Sequence, residues 1–312
     1  MSEKNNDDAN TQNLSKALEF TWGKYREYAA TSGMLKSRLS KWRTTVLLLG
    51  IGGAIFGVLC QESIRLELDN YWEHMSSSLG YISSFLIVIA GYFGKELVKP
   101  ETERAWIRAR SMAEALKSLS FLYVTETAPY DKSNKAQLLL DSTNNLMESA
   151  KDLSTVKISD EQKLKRLLPL RLDVDKYLAL RVTDQIKYYG DKAQEYAKRM
   201  KNIRNVGFVL GLVAVILGVL GSTGWTAGWI AVISTITSSI AAFVYANKFQ
   251  YLIISYQATG NRLELLKVSW EIENTTPTDK SKIQDFIKSC EQAISIENSA
   301  WMAEYIDNDK GK

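Results

Sequence analysis

A run of apolar residues long enough to cross a bilayer, introduced by basic residues, occurs in this chain and then recurs. Arg38 to Leu59 reads RLSKWRTTVLLLGIGGAIFGVL; at an ungapped offset of 161 residues, Arg199 to Leu220 reads RMKNIRNVGFVLGLVAVILGVL. Eight of the 22 columns are identical, among them Arg38/Arg199, Arg43/Arg204, Gly50/Gly211 and Gly57/Gly218. Any two membrane segments share aliphatics by chance, so the repeated arginines and glycines carry the comparison. A spanning helix needs about 20 residues at a rise of 1.5 Å each. Four runs read as spans: 42–60, 76–94, 206–221 and 229–246. One such run could be a buried core helix; four in one chain could not comfortably be so.

With four prolines and little strand-type alternation, the rest of the chain also reads as helix. The expected fold is all-α: an integral membrane protein with four transmembrane helices as two repeated hairpins, extended by long amphipathic cytosolic helices. A polar, disordered tail is expected over 1–13, then a first hairpin copy with its cytosolic helices over 14–125. A helical linker follows over 126–172, a second copy over 173–273, and a C-terminal helix and tail over 274–312. The cleanest periodicity opens the second copy. Val182, Ile186, Tyr189, Ala193, Tyr196, Met200 and Ile203 step by 4 and 3, which makes one apolar seam for internal or inter-subunit packing. The helix after each second span repeats as well, with Glu114-x-Leu116-Lys117 matching Glu264-x-Leu266-Lys267.

The net charge of +4 matters less than its placement. Arg38, Lys41, Arg43, Lys95, Lys99, Arg199, Lys201, Arg204 and Lys248 crowd the outer ends of the hairpins. The connecting loops carry a net charge of about −3 and zero. Lys and Arg near span ends stay in the cytoplasm, so both termini are expected inside. These clusters hug the bilayer and its anionic headgroups, so the lipid bilayer is the expected partner and nucleic acid is not.

No catalytic constellation is legible. The only histidine is His74, in a connecting loop, which excludes Ser-His-Asp, Cys-His and HExxH arrangements; phosphate-cradling glycine loops and CxxC pairs are missing too. No enzyme activity, cofactor or metal is expected. The acidic residues read as solvated helix faces, and Cys60 and Cys290 as two separate buried thiols. No charged side chain lies deep in a span, so a membrane-embedded carboxylate relay is unsupported.

Helix contact within the membrane is better supported. Gly50, Gly53, Gly57, Gly207, Gly211 and Gly218 form faces that let backbones approach closely. The fourth span is the odd one, with Ser234, Thr235, Thr237, Ser238 and Ser239 at its centre. These hydroxyls can bond back to i−4 carbonyls or to a neighbouring helix. Alternatively Ser234, Ser238, Ala241 and Tyr245, which share one stripe, line a water-filled path.

Two spans per copy, the basic helix before each pair, the long helix after it, and the segments LALRVTDQIKYY and CEQAISIENSAWMAEY together resemble the SLATT family in tandem form. Members are two-transmembrane effectors of prokaryotic conflict systems. The resemblance implies a multi-pass protein of the bacterial inner membrane that forms pores when a separate nucleotide-signal or sensor protein reports infection. Four spans enclose little, so a pore requires a homo-oligomer. The expected function is thus an oligomeric channel or pore-forming effector in anti-phage defence. The alternative is a membrane-anchored scaffold whose cytosolic helices bind partners without a conducting path.

Overall fold

The computed structural model describes residues 2–65, 70–221, 226–273 and 279–306, with side chains outside 2–11, 70–74 and 297–306. Among the described residues the fold is all-α. Helix α1 spans Ser2–Arg65, α2 Asn70–Leu97, α3 Pro100–Val124, α4 Lys135–Ser149 and α5 Asp160–Leu164. Helix α6, Val174–Tyr177, runs through a π turn at Leu178–Thr183 into α7, Asp184–Val219; α8 is Thr226–Asn247, α9 Phe249–Glu273 and α10 Lys280–Ile306. Four of these helical stretches are long and apolar enough to cross a membrane. Helix α1 begins at Ser2, so the polar opening read as a disordered tail is continuous with the first helix. The tips 66–69 and 222–225 of the two connecting loops lie outside the described residues.

The ends of the helices follow local chemistry. Pro100 is the first residue of α3, where a missing N–H costs no hydrogen bond, and it separates α3 from the span before it. Asp279 accepts from the Ser281 N–H at 2.9 Å and caps α10. Lys248, at φ 48°, breaks the chain between α8 and α9.

The chain divides into two compact units. The membrane unit comprises 37–100 and 193–254, and holds the apolar parts of α1, α2, α7 and α8. In it α1 and α2 run antiparallel: Trp42 meets Phe93 with ring centroids 5.0 Å apart, and Gly80 at the far end lies against Cys60. Between these points the helices touch at Gly53, where an added Cβ would stand 2.6 Å from Ile87 Cγ1 and 3.3 Å from the Ser83 carbonyl. The Ser83 hydroxyl donates to the Gly53 carbonyl at 2.7 Å, an interhelical bond that a larger residue would push apart. Helix α8 joins them through Gly228, where a Cβ would lie 3.4 Å from Val58. Helix α7 is the least covered span, with Phe208, Val215, Ile216 and Val219 exposed.

The core unit comprises 1–36, 101–192 and 255–312. Tyr28 of α1, Met112, Ala113 and Leu116 of α3 and Ala150 just past α4 form its central cluster. Leu18 and Trp22 of α1 are buried, as are Leu139 of α4 and Ile287, Cys290 and Ile294 of α10. Trp270 of α9 stacks on Phe286 of α10 at 4.6 Å. The periodic seam closes on α9 within the same chain: Tyr189 meets Tyr256 at 5.7 Å in the core unit, and Tyr196 meets Phe249 at 5.8 Å in the membrane unit. The turn after α3 is fixed by Glu126, which takes Lys135 at 2.9 Å and Arg171 at 3.0 Å.

Two outcomes follow from these contacts. Gly53→Leu should lower thermal stability in detergent micelles by about 1–3 kcal/mol, the usual cost of overpacking. Gly50→Leu, directed where a Cβ meets nothing within 4 Å, should leave it unchanged. At Glu126 the Arg171 and Lys135 hydrogen bonds depress the carboxyl from 4.5 to about 2. Its contribution is therefore present above its ordinary value and lost as pH falls through that window toward 2. Glu126→Gln should remove at most about 1 kcal/mol at neutral pH and flatten the acid dependence of unfolding over the same window.

Candidate pore face and buried ion network

On α8 the hydroxyl-rich centre is largely exposed. Thr235 donates to the Ala231 carbonyl at 2.9 Å and Thr237 to the Ile233 carbonyl at 2.8 Å, the i−4 back-bonding that keeps a hydroxyl satisfied in an apolar setting. Ser234, Ser238, Ala241 and Tyr245 are exposed along one face, with Tyr245 at 80%, and Thr235 and Thr237 are exposed as well. Ser239, Ala242 and Ala246 line a groove shared with α1 and α2. A polar stripe thus lies on the outside of the four-span unit.

The glycines also separate. Gly53 and Gly57 stand at close approach, the latter with a Cβ position 3.1 Å from the Ser83 hydroxyl. Around Gly50, Gly207, Gly211 and Gly218 a Cβ would meet nothing within 4 Å, so within one chain these four make no helix contact. Sequence identity between the copies does not separate the two groups, because contact depends on what the facing helix presents. The basic residues Arg38, Lys41, Lys95, Lys99, Arg199, Lys201 and Arg204 are exposed, while Arg43 and Lys248 are half-buried. Lys99 pairs with Glu96 at 2.7 Å, and Arg199 with Glu195 at 2.7 Å.

The core unit holds a feature that the sequence reading missed. Arg181 is fully buried. It donates from Nε to Glu291 Oε1 and from Nη2 to Glu291 Oε2, both at 2.9 Å, a bidentate fork. Tyr177 donates its hydroxyl to Glu291 Oε1 at 3.0 Å, Glu114 lies 3.5 Å from Arg181 Nη1, and the guanidinium sits 5.1 Å from the Phe121 ring centroid. Burial opposes the charge on Arg181, but Glu291 outweighs it and holds the guanidinium above its ordinary value. Burial likewise opposes ionisation of Glu114, and Arg181 with Lys117 and Arg110 overcomes it, leaving the carboxyl below its ordinary range. Beside them burial, reinforced by Glu291, raises the Cys290 thiol to about 12. Cys290 is a buried free thiol, whereas Cys60 is only half-buried.

The expectation that acidic residues form solvated faces therefore fails at Glu291 and Glu114. Arg181 and Val182 are both buried within the π turn at Leu178–Thr183, and Gln185, one turn further on, is buried too, so the covered face of this helix is wider than its apolar seam. The legible signal was the location of Arg181 and Glu291 inside the segments LALRVTDQIKYY and CEQAISIENSAWMAEY, each a charge within a largely apolar helix face. The matching Glu264 of the second copy is exposed, so the shared ExLK pattern supports a buried pair in only one place. Beside the network, a cleft of about 480 Å³ opens between α3, α4 and α10, lined by both carboxylates, Ser111, Ser118, Ser142 and Asn145.

Glu291→Gln leaves the guanidinium buried against a neutral amide and should destabilise the protein by about 3–5 kcal/mol in denaturant titrations. Arg181→Met combined with Glu291→Met should cost less than the single change, because no charge is stranded.

Two family models match the chain. Residues 24–137 match one described as a protein of unknown function, DUF4231. Residues 177–301 match SLATT_1, described as SMODS and SLOG-associating 2TM effector domain 1. No curated protein and no solved structure matches the chain. The second match begins at Tyr177 and takes in the π turn, both spans of the second hairpin and Glu291, so this region of the chain is similar to SLATT two-transmembrane effector domains.

Proposed function

We propose that the protein is an oligomeric channel or pore-forming effector of the bacterial inner membrane, both termini cytoplasmic, which opens in anti-phage defence when a separate nucleotide-signal or sensor protein engages it. The observation that carries this reading is the exposed face Ser234, Ser238, Ala241, Tyr245 on a span with five hydroxyls at its centre. A polar stripe on the outside of a four-span unit finds no use against lipid tails, whereas several copies turned toward one another would line a wet path with it. The SLATT domain supports an effector role, and the basic flanks of the spans support the orientation. The protein acts, on this reading, by permeation rather than by catalysis.

A scaffold is the second reading, favoured by the hydroxyl-lined cleft between α3, α4 and α10, which suits a polar partner. Ion release from liposomes distinguishes the two. Wild-type protein should release trapped ions. Ser234→Leu with Ser238→Leu should cut release by at least about tenfold without reducing insertion, since a ring of leucines dewets a narrow path. Full release by the double variant, or no release by wild type with its signal present, overturns the channel reading.

A further inference from the structure

Within the membrane unit a groove of about 580 Å³ runs between α1, α2 and α8 at the end where the basic residues gather. Its lining carries two cations, Arg43 and Lys95, and no carboxylate. Glu96, the adjacent carboxylate on α2, is engaged by Lys99 at 2.7 Å. The remaining lining is apolar or small apart from Ser239, and three glycines contribute: Gly50, Gly91 and Gly94. A Cβ at Gly50 or Gly91 would meet nothing within 4 Å, and one at Gly94 only Val46 at 3.8 Å. Gly50 and Gly91 are not points of close helix contact, and Gly94 meets α1 only at ordinary van der Waals distance; together they keep a slot open in a bundle whose spans otherwise face lipid.

A cationic rim over an apolar slot, in a protein embedded among phospholipids, matches one class of molecule. We propose that the groove binds a single anionic phospholipid. Its phosphate sits on Arg43 and Lys95, and Ser239 offers a hydroxyl lower down. One acyl chain lies along the glycine floor. A free phosphate would use the rim and leave the apolar slot empty, and a zwitterionic lipid would meet two cations with a neutral headgroup. The site requires a bilayer but not conduction, so it stands or falls separately from the pore reading.

The test is native mass spectrometry of the full-length protein released from nanodiscs made of phosphatidylglycerol or of phosphatidylcholine. Wild type should retain one phosphatidylglycerol per chain and no stoichiometric phosphatidylcholine. Lys95→Gln, at an exposed position, should weaken retention roughly fivefold, the effect of one cation near a membrane surface. Gly91→Leu should abolish retention by filling the slot while leaving both cations in place, with Gly91→Ala as the milder change if the leucine variant misfolds. Equal retention of both lipids, undiminished phosphatidylglycerol in Lys95→Gln and Gly91→Ala together, or binding of inorganic phosphate with the same affinity would each overturn the proposal. Disulfide trapping between Gly91→Cys on one chain and Ala242→Cys on another would overturn it too, since a second copy would then fill the groove.

Discussion

Hydrocarbon cannot hydrogen-bond, and that single property of the bilayer governs the membrane unit. Each N–H and C=O in a span must be answered within the same segment, so the chain crosses as unbroken helix and turns only beyond the apolar region. The irregular backbone falls where this predicts: before Pro100, and at Lys248 between α8 and α9. With no hydrophobic drive to hold one span against another, cohesion has to come from close backbone approach and side-chain hydrogen bonds. The Gly53–Ser83 contact supplies both at one place, which makes it the fixed point of the first hairpin.

The core unit solves a different problem. There water competes for every polar group, and a charge can be buried only with its partner and with the rest of its hydrogen-bonding capacity filled. Arg181 meets this through a bidentate carboxylate, a second carboxylate and an aromatic face. Such a cluster adds little net stability, yet losing one partner strands the other's charge. It ties α10 and α3 to the π turn at a single register.

The fold was largely legible because its signals are long. Nineteen-residue apolar runs, a 3–4 seam and basic flanks each persist over several turns, and the structure places Val182, Tyr189 and Tyr196 inward on that seam. The candidate sites were legible less evenly. The Ser234–Tyr245 stripe followed from helical period alone; its residues are exposed, as are Thr235, Thr237 and Ala242 off the stripe. The glycine faces could not be divided by sequence, since Gly53 differs from Gly50 in what α2 sets opposite it, Ile87 and Ser83. Arg181 was invisible because it lies beside the apolar seam, on a face that continues through the buried polar Gln185 and so carries no apolar period.

The π turn also has a mechanical meaning within the core unit. From it the chain continues as α7, and in an α-helix each residue advances the azimuth by about 100°. Were the bulge to relax into regular winding, the helix face just beyond it would shift by roughly that angle, and Tyr189 would turn away from Tyr256. Arg181, clamped by Glu291, sits in the turn that keeps this register.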